Sequence, residues 1–160
     1  MQAAADEEFL YLLEFYDHSY LEQKLARLQF QTNKNIIPGK CSPIYQIDEE
    51  LKKYFDGSLR EFKTQLHLLG SHFQKLVWLE LINIPYGQTK SYASQAMAIK
   101  RQKAVRAVAN ANGANNMAIV IPCHRVINTN GNLGGYGGGI ARKKWLIEFE
   151  MANSEPFTHT

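Results

Sequence analysis

The stretch Ala118-Ile119-Val120-Ile121-Pro122-Cys123-His124-Arg125-Val126 constrains this chain more than any other. Four apolar residues end at a proline, and a cysteine, a histidine and an arginine follow without a gap. The apolar run reads as a short buried strand. Pro122 has no amide hydrogen and biases Ile121 towards extended backbone, so the strand is expected to stop there. Cys123 then occupies the first turn after a packed element, which fixes its position. Cysteine is nucleophilic as the thiolate, and a neighbouring histidine or cation lowers its pKa. His124 and Arg125 are adjacent in sequence, although neighbouring side chains of an extended segment point to opposite faces. A structural cysteine carries the same local pattern, so the surrounding segments decide.

A chain of 160 residues suits one or two small domains with a real core. It contains no apolar run long enough to span a bilayer. Its first eight residues are acidic and lack the basic and apolar regions of a signal peptide. A cytoplasmic or nuclear location and no membrane partner are expected. Cys41 and Cys123 are expected to be free thiols. The histidines share no metal-ligand spacing with them, so no metal is expected. Charge is uneven: residues 84–160 hold nine Lys and Arg against three Asp and Glu, whereas residues 1–83 hold nine against twelve. A basic C-terminal half suits a polyanionic partner.

Residues 9–16 read as a buried strand, with helix as the competing reading, and 18–30 as an amphipathic helix carrying Leu21, Leu25 and Leu28. Thr32–Tyr45 reads as loop, with a helix opening at Asp48 and closing at Gly57, and 62–69 as an extended connector. Gly70-Ser71 starts a helix whose apolar stripe is Phe73, Val77, Trp78, Leu81 and Ile82. Pro85-Tyr86-Gly87 turns the chain, Thr89 or Ser91 caps the next helix, and another begins within Lys100–Arg106. Two short helices so connected suggest a helix-turn-helix. The second is nearly bare of bulky side chains and carries Lys103 and Arg106, which suits close approach to a DNA groove. Asn130-Gly131 is a hairpin-type turn, followed by the glycine run 134–139. That run lacks the Gly-Lys-Ser/Thr of a nucleotide loop, so no nucleotide cofactor is expected. Residues 141–150 close as a helix with Trp145, Leu146 and Phe149 inward, and a frayed tail is expected from Asn153.

Taken together, these pieces resemble the O6-alkylguanine-DNA alkyltransferases, the methylated-DNA–protein-cysteine methyltransferase family. Ile121-Pro122-Cys123-His124-Arg125-Val126 resembles the family's active-site signature. Phe73-Gln74, Val77-Trp78, Ile84-Pro85-Tyr86-Gly87 and Ser91-Tyr92 resemble the segment entering its helix-turn-helix. Arg106-Ala107-Val108 resembles its recognition helix, and Gly134-Gly135-Tyr136 with Gly138 its substrate loop. The resemblance is strong over 70–150 and weak over 1–69. It implies a reduced α/β N-terminal domain (1–69), a mainly α catalytic and DNA-binding domain with a helix-turn-helix (70–152) and a tail (153–160).

The resemblance also implies roles. Cys123 would take the alkyl group from guanine O6 and keep it. His124 would be its base, through a bridging water, and Glu150 would orient His124, a relay logically like other triads. Tyr92 would protonate the departing guanine at N3. Arg106 would fill the place of a flipped base, because the target carbon is unreachable inside a duplex. Asn115 would brace the turn before the active site. The carbonyls of Cys123 and Val126 and the N–H near Gly137 would read the guanine edge. Lys103, Ala107, Ser91 and Tyr136 would complete the DNA and substrate contacts. The implied partner is double-stranded DNA containing O6-alkylguanine, met by a monomer with no cofactor. Gly137 stands where relatives often have serine, and Asn112 where an apolar residue is common. Three other readings fit parts of the pattern: a lesion-binding module, a cysteine hydrolase and a transcriptional regulator. Tryptophan at the acceptor position would mark the binding-only relatives, and here that residue is Cys123.

Overall fold

A computed structural model describes residues 1–154. Those residues form six α-helices and two small two-stranded sheets. Strand β1 (Gln2–Ala5) pairs antiparallel with β2 (Leu10–Glu14), from Gln2 opposite Glu14 to Ala5 opposite Leu10. Four of the five β2 residues are buried, because the strand is covered on both faces and so shows no alternation. The open edge of β2 is used twice more: Leu10 bridges Leu66, and Leu13 bridges Met117. The second bridge exchanges Leu13 N–H to Asn116 O (2.8 Å) and Ala118 N–H to Leu13 O (2.8 Å). It fastens the N-terminal strand to the turn that leads into Cys123.

Helix α1 (Leu21–Thr32) ends at Asn33 in the left-handed conformation. Helix α2 (Ser42–Phe55) begins six residues before the expected Asp48, because Pro43 sits in its first turn, where a missing N–H costs nothing. Helix α3 (His72–Ile82) opens with a reciprocal box between Ser71 and Gln74. Strand β3 (Lys90–Ser91) runs into helix α4 (Tyr92–Ala98), which Ser91 caps through the Ser94 N–H. Helix α5 (Val105–Gly113) follows, then a 3-10 turn at Cys123–Arg125. Strand β4 (Val126–Ile127) pairs parallel with β3, and α6 (Ile140–Ser154) closes the described chain.

Several expectations need correction. The apolar run Ala118–Ile121 is buried but is not a strand. Pairing with β2 ends at Ala118, and the backbone folds on itself through Ile119 at φ 72°, returning the Ile121 N–H to Met117 O. Positive φ is costly for a β-branched residue, and full burial of Ile119 holds it there. Residues 2–5 form a strand that their alanine-rich sequence does not announce; pairing with β2 supplies it. Ile82 is exposed, so the α3 stripe ends at Leu81. In α6 Trp145 is half exposed and stacks on Phe149, while the buried stripe is Lys143, Leu146, Ile147 and Glu150. Asn153 and Ser154 continue α6; the rest of the expected tail lies outside the described residues.

One core unites early and late segments. Leu10 and Leu13 from β2 and Ile47 from α2 pack with Val77, Trp78 and Leu81 of α3, and Val108 of α5 joins them. Two polar ties lock α5 in place. Trp78 Nε1–H donates to Ala111 O at 2.8 Å, and Gln95 and Asn112 exchange amide hydrogen bonds of 2.9 and 2.7 Å inside the core. Removing one partner of a buried pair leaves the other unsatisfied. Gln95→Leu alone should therefore lower stability by about 1–3 kcal/mol in urea unfolding, whereas Gln95→Leu with Asn112→Leu should recover much of the loss.

Candidate active site

The 3-10 turn points its first two side chains in different directions. Cys123 faces a cavity of about 250 Å³, while His124 lies fully buried behind it. Tyr92, Asn115, Tyr136 and Gly137 line the same cavity, so the fold gathers five of the expected site residues around one opening.

Asn115 organises the approach to the thiol. Its Oδ1 accepts the Met117 N–H at 2.8 Å, and its Nδ2 donates to Ile121 O at 2.8 Å and to Cys123 Sγ at 3.3 Å. One amide thus closes the turn and solvates the sulfur. Burial nevertheless pushes the Cys123 thiol up; the Asn115 bond and the Lys143 and Lys24 charges pull it back only in part. At rest Cys123 is therefore a neutral thiol, which would need a base to act as a nucleophile, rather than the standing thiolate that adjacency to His124 and Arg125 suggests.

Behind the thiol, Glu150 is the acceptor for a converging set of donors. Its Oε1 receives Tyr54 Oη–H at 2.7 Å, Arg125 Nη2–H at 3.0 Å and His124 Nε2 at 2.7 Å. Its Oε2 receives Arg125 Nε–H at 2.8 Å and the Gly87 N–H at 3.4 Å. Arg125 also donates to Ile84 O at 2.7 Å. Burial works to raise the Glu150 pKa, but the hydrogen bonds from His124 and Arg125 outweigh it and hold the carboxyl at about 2. Burial pushes His124 the other way, below its ordinary value, against the pull of Glu150. Arg125 already balances the carboxylate charge, so His124 is neutral, with Nε2–H donated to Glu150. That tautomer leaves Nδ1 as a bare acceptor, and Nδ1 is buried with no hydrogen-bond partner among the described residues.

Lys143 was absent from the expected site and is fully buried beside it. Its ammonium donates to Leu133 O, to Gly135 O at 3.2 Å and to Tyr92 Oη at 3.4 Å. Burial lowers it to about 8, with the Cys123 charge working against that. These bonds pin the segment Leu133–Gly135 against Tyr92. Burial, and repulsion from Cys123 when its thiol is ionised, raise Tyr92, so its hydroxyl stays protonated. On the other side, Gly138 lies so close to Phe15 that an added Cβ would sit 2.6 Å from its ring. Glu14, His18 and Lys24 complete that wall.

The remaining expected residues sit elsewhere. Arg106 is exposed on α5 and lines an outer groove that shares Tyr92, Ala109 and Gly135 with the inner cavity. Lys103 and Ala107 are exposed nearby. Ser91 acts as the α4 cap, and Val126 is buried in β4 beside Lys90. Among the described residues no three His, Cys, Asp or Glu side chains are grouped to hold a metal, and no helix is long and apolar enough to cross a membrane. Tyr54 and Lys143 were not among the expected site residues, and Arg125 entered only as part of the Ile121–Val126 motif; bonds to Glu150 define Tyr54 and Arg125, and bonds to Leu133, Gly135 and Tyr92 define Lys143.

Residues 72–152 match the family model described as the DNA binding domain of 6-O-methylguanine DNA methyltransferase. The chain belongs to the 6-O-methylguanine DNA methyltransferase family. It is 47% identical over 121 residues to the probable methylated-DNA–protein-cysteine methyltransferase of Acanthamoeba polyphaga mimivirus, covering 75% of this chain and 80% of that protein. It is 50% identical over 106 residues to the methylated-DNA–protein-cysteine methyltransferase of Mycobacterium bovis, covering 66% of this chain and 64% of that protein. The fold matches the crystal structure of Mycobacterium tuberculosis OGT in complex with DNA with a TM-score of 0.80 at 39% identity, covering 94% of this chain and 86% of that one.

The methyltransferase-family site rests on a charge that must stay paired. Glu150→Gln strands the buried Arg125 cation and should cost about 3–5 kcal/mol in chemical denaturation. The pH dependence follows the depressed carboxyl. Its contribution is complete above the ordinary value of 4.5 and is lost as pH falls towards about 2. The acid limb of the stability curve should be shallower in Glu150→Gln than in the parent protein.

Proposed function

We propose that this chain repairs DNA by moving the alkyl group of an O6-alkylguanine onto Cys123 in a single irreversible event. The observation that carries the reading is the Cys123–His124–Glu150 arrangement opening into a cavity beside the exposed, small-residue helix α5. In this mechanism His124 Nδ1 takes the thiol proton, through a bridging water, and Glu150 stabilises the resulting imidazolium. The Cys123 sulfur attacks the alkyl carbon. A carbon–sulfur bond forms as the carbon–O6 bond breaks, and the electron pair passes into the guanine ring. Tyr92 donates its proton to guanine N3, so the base leaves neutral, and Lys143 keeps the Tyr92 hydroxyl in place.

We assign α4 and α5 the role of a helix-turn-helix. The net-positive C-terminal half and the exposed Lys103, Arg106 and Ala107 support contact with double-stranded DNA. Arg106 stands on the groove contiguous with the inner cavity, which suits a side chain that replaces a flipped nucleotide. The carbonyls of Cys123 and Val126 and the backbone near Gly137 are assigned to the guanine edge, and Tyr136 to the cavity wall. A cytoplasmic or nuclear location, wherever the DNA lies, completes this reading.

A thioether offers water no leaving group, so each chain should accept one alkyl group and stop. Mixing the protein with DNA containing O6-methylguanine should add the mass of one methyl group, located at Cys123, while Cys123→Ser should gain nothing. Several lesions repaired per chain with no lasting mass change would establish hydrolysis instead. Arg106→Ala should slow reaction with duplex DNA far more than reaction with free O6-benzylguanine, measured as the rate of Cys123 modification. Equal losses on both would remove Arg106 from the flipping step.

A further inference from the structure

Part of the cavity wall comes from Glu14 of β2, His18 in the turn before α1 and Lys24 in the first turn of α1. Glu14 and Lys24 satisfy each other there. Lys24 Nζ donates to Glu14 Oε2 at 2.7 Å and to Asn115 O at 3.0 Å, and Glu14 Oε1 accepts the Phe15 N–H at 3.0 Å. His18 is the group left over. Its residue is nine-tenths buried and its ring lines the cavity.

The ring's protonation is defined by its neighbour. His18 Nδ1 accepts the Tyr20 N–H at 3.0 Å, so Nδ1 carries no proton. Burial keeps the imidazole neutral, with Glu14 and Asp17 pulling against the effect and Lys24 adding to it. The proton therefore sits on Nε2. That N–H has no acceptor within hydrogen-bond distance among the described residues: Glu14 Oε2, the nearest carboxylate oxygen, is 3.9 Å away. Nε2 also lies against Gly137, where an added Cβ would come within 2.6 Å of it. Any larger residue at 137 would drive the ring from this position. The cavity thus holds an idle donor and, 3.9 Å from it, a carboxylate oxygen able to accept. A hydroxyl placed between them can accept from Nε2–H and donate to Oε2.

Resting on the proposed alkyl transfer, we infer that His18 is a specificity residue that recognises O6 adducts bearing a hydroxyl oxygen beyond the transferred carbon. O6-(2-hydroxyethyl)guanine is the simplest member of this class. O6-n-propylguanine has the same number of heavy atoms and lacks the hydroxyl, so the pair isolates one interaction. A site built to hydrogen-bond a hydroxyl discriminates against the analogue without it.

The test compares rates of Cys123 modification by two otherwise identical duplexes carrying these lesions. The quotient of the two rates cancels any general loss of activity. In the parent protein the hydroxyethyl lesion should react faster, and in His18→Phe the quotient should fall by about tenfold, the scale of one hydrogen bond. Gly137→Ala, which displaces the ring, should lower it as well and serves if His18→Phe does not fold. A parent quotient at or below one, or a quotient unchanged in a folded variant, would overturn the assignment while leaving repair intact. Absence of any methyl gain at Cys123 from O6-methylguanine DNA is a different result, and it would remove the parent function together with this one.

Discussion

The fold depends on keeping one carboxylate ionised in its interior. Glu150 is almost completely buried, and such a charge is tolerated only when it is paired and fully hydrogen-bonded. Its donors come from separated parts of the chain: Tyr54 on α2, Gly87 in the turn after α3, and His124 and Arg125 in the 3-10 turn. Satisfying Glu150 therefore places α2, α6 and the active-site turn relative to one another. The same bonds set the His124 tautomer, so a structural requirement and a chemical one are met by a single group.

On the other side of Cys123 the constraint is different. There the backbone of β2 reaches across to Asn116 and Ala118, and Asn115 ties the following turn to the sulfur. The turn carries Ile119 at positive φ, a conformation held by packing. Cys123 is thus suspended between a polar anchor behind it and a paired strand beside it. Glu14 of that strand, together with Asn115 and Ala118, lines the cavity onto which Cys123 opens. The low-polarity surroundings of the sulfur keep the thiol neutral at rest.

Much of the site was readable in the order of residues because its members are contiguous or punctuated. Pro122-Cys123-His124 marks the candidate nucleophile, Ser71 and Ser91 mark helix starts, and the glycine run marks a loop that must pass close to other groups. The wall made by Glu14, His18 and Lys24 was not readable. Those residues sit roughly a hundred positions from Cys123, and each looks like an ordinary surface charge until β2 pairs with residue 117. Lys143 was missed for a related reason. Hydropathy favoured Trp145 as the inward residue of α6, yet residues 143, 146, 147 and 150 share one helical face. Two of those four are charged, and their hydrogen bonds to Leu133, Tyr92, His124 and Arg125 outweigh the preference for burying an indole.

By itself the sequence determined the chemistry available: a cysteine behind a proline with a histidine beside it, a basic half, and a helix of small residues next to an arginine. These follow from side-chain identity and local backbone rules, which need no distant contacts. Only the tertiary structure decided which way the active-site turn folds, which tautomer His124 adopts, and which residues line the cavity with the thiol. Each of those depends on hydrogen bonds between segments far apart in the chain, and the energy of burying polar groups is settled only when their partners arrive.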